Sequence, residues 1–277
     1  MFNKPILQVE PTNCCNRNCD ICMRGYQGRR QGYMDYESFK TFVDANKPYY
    51  LGFHGWGEPL LHEKICDMVA YAASKGAITS LITNGTLVDS EILQKLYGSK
   101  LRELAFGVYR VKMLEQISGN VEKATDLKRK MGLKNLKIFL DITAYEGNRE
   151  EIRQIIEHGA RLGIDAVNIH RIFNLHNPVY KALCKDDEAK LFEEIRTVCK
   201  RLSIELTLPR EHTSVCRIAK YCIFVTWDFK VTPCCFLPDH VLAQGPNIKI
   251  ADVIKSHSYR EFLNSMSSNP VCSKCIM

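Results

Sequence analysis

Three cysteines near the start of the chain have a spacing that suits an iron–sulfur cluster. They are Cys15, Cys19 and Cys22, in the order C-x3-C-x2-C. Three thiolates on one loop can hold three irons of a [4Fe-4S] cube and leave the fourth iron without a protein ligand, whereas electron-transfer clusters normally have four cysteines. Structural zinc is the alternative, but it needs four nitrogen or sulfur ligands. This loop contains no histidine, and Cys14 is adjacent to Cys15 and cannot easily share its geometry. We therefore predict a cluster whose open iron takes part in chemistry.

A second group of cysteines lies towards the C-terminus. Six of the 13 cysteines of the chain belong to it, namely Cys216, Cys222, Cys234, Cys235, Cys272 and Cys275. An odd number of cysteines excludes full pairing into disulfides, and thiols at short spacings in an intracellular protein indicate metal binding. The segment is too short to bury a large core, so we expect a metal group to stabilise it. A four-cysteine zinc ribbon is the alternative to an iron–sulfur cluster here.

The composition is that of an ordinary globular protein. The 277 residues are 45% hydrophobic and 25% charged, which argues against disordered and collagen-like chains. No run of apolar residues is long enough for a membrane span, and the first ten residues lack the apolar region of a signal peptide, so we expect a cytoplasmic protein. The net charge of +7 is modest. The basic run Lys123–Lys137 is interleaved with Glu122 and Asp126, which favours a solvated helix face over nucleic-acid binding.

Strand-like and helix-like segments alternate over most of the chain, and they position the first cysteine loop. They include predicted helices over 36–46 and 121–130 and a predicted strand over 78–83. Six β-then-α units of roughly 25 to 35 residues predict an α/β fold, a partial (β/α)6 TIM-like barrel over residues 1–210. After Pro209 the pattern changes to a hairpin, 222–226 against 230–234, and a short helix, which predicts a small α+β domain over 211–277. Active sites of such barrels lie at the carboxyl ends of the strands. The predicted first strand ends just before Cys15, so its loop is expected at that rim.

The segment from Glu10 to Cys22 resembles the cluster loop of the radical S-adenosylmethionine (radical SAM) enzymes. Two further motifs resemble parts of that family: His54–Leu61 is similar to its GGEP motif, with tryptophan in place of the first glycine, and Thr83–Thr86 is similar to its TNG turn. The resemblance implies a [4Fe-4S] cluster bound to S-adenosylmethionine (SAM). It implies SAM contacts from Gly55, Trp56, Gly57, Glu58, Pro59 and Asn84, and cluster ligation by Cys15, Cys19 and Cys22.

The C-terminal segment resembles the extensions called SPASM and twitch in the same family. This resemblance implies an auxiliary [4Fe-4S] cluster, and because a full SPASM region needs further cysteines, we expect one such cluster and a twitch-type domain. The ligands implied are Cys216, Cys234, Cys272 and Cys275, with Cys222 as a competitor.

Side chains at the predicted barrel rim are candidates for the reaction itself. Tyr145 follows the fifth strand, and His170 and Arg171 end the sixth, so we predict these three as catalytic. Asp239 and His240 follow the cysteine pair of the C-terminal hairpin. They either bridge the auxiliary cluster and the substrate or are solvated loop residues.

The resemblance implies that SAM is reductively cleaved to a 5′-deoxyadenosyl radical, which abstracts a substrate hydrogen. The similar enzymes include dehydrogenases of aminocyclitol biosynthesis, so we expect an oxidoreductase that oxidises a small polar or sugar-like substrate and passes an electron to the auxiliary cluster. The expected electron donor is a flavodoxin or ferredoxin. A peptide-modifying maturase is one alternative, although Cys15 lies so near the N-terminus that no leader-peptide-binding domain is expected before the barrel. A non-catalytic iron–sulfur or zinc scaffold is the other.

Overall fold

A computed structural model describes residues 5–211 and 216–277. Strands and helices alternate along most of the chain, as the hydrophobic pattern requires. In chain order they are β1 (Ile6–Val9), α1 (Tyr36–Asn46), β2 (Tyr50–Phe53), α2 (Ile65–Ser74), β3 (Ile78–Thr83), α3 (Ser90–Gly98), β4 (Glu103–Val108), α4 (Val111–Lys130), β5 (Lys137–Ala144), α5 (Arg149–Arg161), β6 (Ala166–Arg171), α6 (Lys185–Leu202), β7 (Glu205–Thr207), α7 (Arg217–Tyr221), β8 (Cys222–Val225), β9 (Lys230–Thr232), β10 (Ala243–Gln244), α8 (Ile250–Val253) and α9 (His257–Ser265). Within the described ranges, no helix is long and apolar enough to cross a membrane.

The described residues form two compact units. The first contains 5–81, 98–101 and 216–275, and the second contains 82–97, 102–211 and 276–277. In the first unit β1 pairs in parallel with β2 on one side and with β8 on the other, and β8, β9 and β10 continue as antiparallel neighbours. The C-terminal segment therefore packs with the beginning of the chain. The division into 1–210 and 211–277 stays a prediction.

Helix α1 of the first unit buries one face, and the Phe39 ring on that face lies 5.9 Å from the ring of Phe53 in β2. Its buried residues Phe39, Phe42 and Val43 recur at the three-to-four-residue spacing of one helix face. The helix begins where the Asp35 carboxylate accepts a hydrogen bond from the Ser38 amide at 2.8 Å. It ends at Lys47, whose backbone is left-handed.

In the second unit β4, β5, β6 and β7 form a parallel sheet. The residues of β5 alternate strictly: Ile138, Leu140 and Ile142 are buried, whereas Asp141 and Thr143 are half-buried. This alternation places apolar side chains on the helix-covered face and polar side chains on the opposite face. The half-buried face is therefore the one that can hold chemistry in this unit.

Most predicted elements are present, and the differences have local causes. Helix α4 begins at Val111, ten residues before the predicted start, and its Met113, Leu114 and Ile117 are buried. The short strand β7 and the helix α7 were not predicted. The hairpin turn carries Phe229 at a φ of 58°, a left-handed conformation that bulky residues rarely adopt. Its ring is buried and lies 6.1 Å from the Phe42 ring, so packing offsets the backbone strain.

Candidate functional site

The first cysteine loop follows β1 and brings its three predicted ligands together. Burial raises the pKa of the Cys22 thiol, and the nearby thiols of Cys19 and Cys15 raise it further. A backbone hydrogen bond from Cys22 to the carbonyl of Cys19, at 3.0 Å, closes the turn between them. Three thiols on one turn are the donor set that a cluster with an open iron needs.

Backbone amides of this loop are directed at the cysteine sulfurs. The amide of Arg17 donates to Cys15 Sγ at 3.5 Å, and the amide of Arg24 donates to Cys22 Sγ at 3.4 Å. Hydrogen bonds to thiolate sulfur stabilise negative charge and tune the potential of iron–sulfur clusters. The loop therefore fits a negatively charged cluster held by the three predicted ligands.

The Gly57-Glu58-Pro59 turn packs directly on the cysteine loop. The Glu58 amide donates to the carbonyl of Cys14 at 2.8 Å. A Cβ atom on Gly57 would lie 2.2 Å from the carbonyl oxygen of Thr12 and 2.5 Å from that of Cys14, so only glycine permits this approach. The buried Glu58 carboxylate also accepts from the Leu60 amide at 3.0 Å. The two motifs predicted to hold the cluster and SAM are thus one packed structure.

A buried ion pair supports this packed structure. The Glu10 carboxylate accepts two hydrogen bonds from the Arg29 guanidinium, at 3.1 and 2.5 Å, and one from the Trp56 amide at 3.1 Å. Glu10 is fully buried. Gly55 is needed here as well, because a Cβ atom at that position would meet the Glu10 side chain at 2.6 Å. Sequence reasoning missed the roles of Glu10 and Arg29, since nothing in the sequence indicates that they are paired.

Trp56, which stands in place of the first glycine of the GGEP motif that this turn resembles, contacts the C-terminal segment. Its indole Nε1 donates to the carbonyl of Cys235 at 2.8 Å. Its ring packs edge-on against Phe236, with 5.6 Å between the ring centroids. The predicted SAM-binding turn and the predicted auxiliary cysteines are therefore joined through one side chain.

The C-terminal cysteines also lie close together. Burial raises the pKa of Cys272 to about 11, with further contributions from the neighbouring Cys234 and Cys216 thiols. Burial likewise raises the pKa of Cys222 to about 12, and Cys234 is again a neighbour. The amide of Phe236 donates to Cys234 Sγ at 3.5 Å. This surrounding resembles that of the first loop and fits a second cluster.

The predicted ligand set of the auxiliary cluster stays a prediction. Cys216 and Cys272 share a small core with Phe262 and Met266, which brings the two ends of the C-terminal segment together. The neighbouring Cys234 thiol contributes to the raised pKa of Cys222, so Cys222 remains a competitor within the predicted ligand set Cys216, Cys234, Cys272 and Cys275. No group of three or more His, Cys, Asp or Glu side chains in residues 5–211 and 216–277 is arranged around a single metal ion.

In the second unit, His170 belongs to a polar group on the half-buried face. Its Nε2 lies 2.8 Å from the Asp141 carboxylate, and the Asn168 amide lies 3.0 Å from the same oxygen. Strand register explains the group, because Asp141 on β5 pairs with Asn168 on β6, two residues before His170. The charge of Asp141 raises the pKa of His170, against the opposing effect of burial. Sequence reasoning found His170 and missed Asp141, which lies in the middle of a strand.

The other two predicted catalytic residues have structural partners. The Arg171 guanidinium makes a two-point ion pair with Glu188, at 2.6 and 2.7 Å, and also donates to the carbonyl of Arg210. Tyr145 is buried. The centroid of its ring lies 5.6 Å from that of the Tyr180 ring and 5.3 Å from the Arg110 guanidinium. Their catalytic roles stay predictions.

Asn84 lies in a tight turn after β3. Its side-chain oxygen accepts from the amide of Thr86 at 3.0 Å and from the Thr86 hydroxyl at 2.6 Å. Gly85 has a φ of 77°, and a Cβ atom there would lie 2.8 Å from the Phe106 ring. The turn is therefore fixed by its own residues, and its contact with SAM stays a prediction.

Comparison with known proteins identifies the family of the chain. The family model of the radical SAM superfamily matches residues 9–178, and that of the SPASM iron–sulfur cluster-binding domain matches residues 216–276. The chain is 21% identical over 250 residues to the "Tungsten-containing aldehyde ferredoxin oxidoreductase cofactor-modifying protein" of Pyrococcus furiosus. That match covers 82% of this chain and 70% of the relative. The chain spans about half or less of the length of four further curated relatives.

Two solved structures with similar folds differ in what they bind. Streptococcus suis SuiB bound to precursor peptide SuiA superimposes with a TM-score of 0.78 at 14% identity, over 98% of this chain and 70% of SuiB. BtrN in complex with AdoMet and 2-DOIA gives a TM-score of 0.56 at 15% identity, over 98% of this chain and 92% of BtrN.

These matches confirm the predicted α/β fold, a partial barrel followed by a small cluster-binding domain. They also confirm the predicted cofactors, which are SAM with its [4Fe-4S] cluster and auxiliary iron–sulfur binding. The chain belongs to the radical SAM superfamily and carries a SPASM domain at its C-terminal end.

Proposed function

We propose that this radical SAM enzyme is a dehydrogenase that oxidises a small polar, sugar-like substrate. The observation that carries the proposal is the His170–Asp141 pair on the half-buried face of the second unit. Oxidation of an alcohol carbon removes a hydrogen atom, a proton and an electron, so the enzyme needs a proton acceptor besides its cofactors. A histidine held by a carboxylate is such an acceptor.

When bound, the cluster with SAM supplies a radical that removes the hydrogen atom, and the auxiliary cluster supplies an acceptor for the remaining electron. The chain's own residues handle the proton. With Nε2 of His170 directed at Asp141, Nδ1 is the ring atom that takes the hydroxyl proton. Asp141 then stabilises the resulting imidazolium. Because the same carboxylate raises the pKa of His170, oxidation is expected to rise with pH as the imidazole becomes neutral.

The cysteines of the two groups hold the cofactors in this proposal. Seven predicted ligands, three and four, correspond to two clusters and about eight irons. A flavodoxin or ferredoxin is the proposed electron donor, and a cytoplasmic location stays a prediction. Four irons together with one zinc would contradict the auxiliary cluster.

The experiment compares SAM cleavage with product formation in anaerobic, reconstituted enzyme. In a Cys272→Ala/Cys275→Ala variant, we expect 5′-deoxyadenosine to form while the two-electron oxidised product is lost. Normal oxidised product from a variant shown to lack the second cluster would refute the electron-transfer role. In Asp141→Asn the pH profile of oxidation should move to lower pH, because the charge that raises the His170 pKa is gone. An unchanged profile would remove His170 from the mechanism.

A peptide-modifying maturase is the second candidate. It is favoured by one observation, the higher TM-score with SuiB bound to its precursor peptide than with BtrN, 0.78 against 0.56. The two candidates differ in the product: a maturase changes the mass or cross-linking of a peptide, which mass spectrometry detects. A non-catalytic scaffold would produce no 5′-deoxyadenosine from SAM under reducing conditions.

A further inference from the structure

Trp56 is held at both ends within the first unit. Its backbone amide donates to the fully buried Glu10 carboxylate at 3.1 Å, and the same carboxylate pairs with Arg29. Its indole Nε1 donates to the carbonyl of Cys235 at 2.8 Å. One residue therefore joins the segment that follows β1 to the segment that follows β9.

The backbone next to Trp56 is packed closely against the first cysteine loop. A Cβ atom on Gly57 would lie 2.2 Å from the carbonyl oxygen of Thr12. The Glu58 amide donates to the carbonyl of Cys14 at 2.8 Å. Closely packed protein transmits a displacement rather than absorbing it. A shift of the Trp56 indole is therefore passed on to Glu58, the side chain predicted to orient SAM.

The auxiliary turn, residues 234–237, meets the other end of the indole and folds around a predicted cluster ligand. The amide of Phe236 donates to Cys234 Sγ at 3.5 Å. The carbonyl of Cys235 accepts from the indole, and the Phe236 ring packs edge-on against it with 5.6 Å between the centroids. When Cys234 is held by a cluster, both groups that contact the Trp56 ring are held as well.

We propose that Trp56 is a positioning residue that couples the two cofactor sites. When Cys234 holds its cluster, the auxiliary turn is ordered and fixes the indole, and the fixed indole keeps Glu58 in the conformation that binds SAM. Coupling of two binding equilibria is reciprocal, so SAM binding stabilises the loaded auxiliary turn by the same factor. The inference does not depend on the substrate and applies to a dehydrogenase and a maturase alike.

The first test measures SAM affinity by anaerobic calorimetry with unreduced clusters, so that SAM is not cleaved. Trp56→Phe keeps an aromatic ring and removes the donor to Cys235. We expect it to weaken SAM binding about three- to tenfold, the size of one neutral hydrogen bond in an equilibrium constant. The Cys272→Ala/Cys275→Ala variant should weaken SAM binding by a similar factor, although its substitutions lie outside the SAM-binding turn.

Combining the substitutions separates coupling from two independent defects. Residues that act through one connection give effects that do not multiply, whereas independent sites give effects that do. In Trp56→Phe, removing the auxiliary ligands should therefore cost little further SAM affinity. Phe236→Leu repeats the cycle with all cysteines in place, and it decides alone if the cysteine variant does not fold. Iron content, about eight atoms with both clusters, shows the loading of each variant.

Trp227→Phe is the matched control, because Trp227 is the other tryptophan of the chain. Its indole also donates to a backbone carbonyl, that of Arg30 at 3.3 Å, and its ring packs on Gly32. The substitution removes the same kind of bond elsewhere in the first unit. SAM affinity should be unchanged in this variant, and its combination with Phe236→Leu should show only the effect of Phe236→Leu.

The second test is the midpoint potential of the auxiliary cluster, which a purely structural role of Trp56 would not change in response to the SAM site. Hydrogen bonds to cluster sulfur tune the potential, and ligand binding at the SAM site is expected to tighten the Phe236 amide on Cys234. S-adenosylhomocysteine is the probe, because it lacks the sulfonium that is cleaved, and the titration is followed by electron paramagnetic resonance. The potential should rise on binding in the unaltered enzyme and in Trp227→Phe, and rise less in Trp56→Phe.

Three results would overturn the proposal. They are unchanged SAM affinity in Trp56→Phe, effects of Trp56→Phe and Phe236→Leu that multiply, and equal shifts of the auxiliary potential in the unaltered enzyme and in Trp56→Phe.

Discussion

The buried pair of Glu10 and Arg29 allows a sharp test of how the site is supported. In Glu10→Gln the side chain keeps its shape and loses its charge, so an amide nitrogen must face either the Arg29 guanidinium or the Trp56 amide, both of which are donors. The side chain of Glu10 is fully buried and that of Arg29 is 10% exposed, so solvent screens the pair little. Removing one partner of a buried pair costs about 3–5 kcal/mol.

We expect the lower end of that range, about 3 kcal/mol, because the Arg29 side chain is still 10% exposed to solvent. For a chain of this length, roughly 2 °C of melting temperature corresponds to each kcal/mol, so the midpoint should fall by about 6 °C. The assay is thermal unfolding of the anaerobic, reconstituted protein, followed by circular dichroism. Glu91→Gln is the control, because Glu91 pairs with Lys95 on an exposed helix face; its midpoint should change by no more than about 1 °C.

A second variant separates loss of the pair from a general defect at this position. In Glu10→Gln/Arg29→Met the unpaired charge is gone, and the side-chain amide oxygen introduced by the first substitution can still accept from the Trp56 amide. About half of the lost stability should return, because the penalty lies mainly in the uncompensated buried charge. Equal midpoints for Glu10→Gln and Glu91→Gln would refute the assignment of a buried, energetically important pair.

Three further predictions concern the predicted SAM-binding turn and the His170–Asp141 pair. Gly57→Ala should prevent stable loading of the first cluster, because the added Cβ would lie 2.2 Å from the carbonyl oxygen of Thr12. Iron analysis measures the loading. Gly98→Ala is the control, because nothing lies within 4 Å of a Cβ at that position. Glu58→Gln should keep the hydrogen bond from the Leu60 amide. Loss of a charge-assisted hydrogen bond should weaken SAM binding about 10- to 150-fold, as measured by calorimetry. Equal affinity of the variant and the unaltered enzyme for SAM would make the turn purely structural. Asp141 raises the pKa of His170, so the pair stabilises the fold fully below the ordinary imidazole pKa of about 6.5. This stabilisation is lost as the pH rises through the raised pKa. The midpoint of urea unfolding should therefore fall over that pH range in the unaltered protein and change less in Asp141→Asn.

The sequence predicts the local elements of this protein better than its long-range pairings. The helix predicted over Tyr36–Asn46 and the strand over Ile78–Thr83 have the predicted bounds, because their hydrophobic periods are clear and their ends carry capping or turn residues. The parallel pairing of β8 with β1 was not predictable, since it joins segments more than 200 residues apart and depends on tertiary packing. Helix α4 was predicted too short because Ser118 and Gly119, just before the predicted start at Val121, have weak helix propensity.

The same limit applies to the site. Cysteine spacing and the Gly57-Glu58-Pro59 turn are readable because neighbouring residues carry the signal. The roles of Arg29 and Asp141 cannot be read from the sequence, because each pairs with a residue that is distant along the chain. Arg29 pairs with Glu10, and Asp141 pairs with His170. Tryptophan at position 56 is visible as a departure from the family motif, whereas its contact with Cys235 requires the fold.

Strand β8 makes the SPASM segment an integral part of the sheet. Because β1 has β2 on one side and β8 on the other, removing residues 216–277 would leave one side of Ile6–Val9 with unpaired amide and carbonyl groups. An open strand edge of this kind promotes pairing with other chains and aggregation. We therefore expect that the cluster-binding segment can be exchanged between relatives only when β1 and β8 are transferred as a matched pair. These two neighbouring strands are the unit of modular exchange.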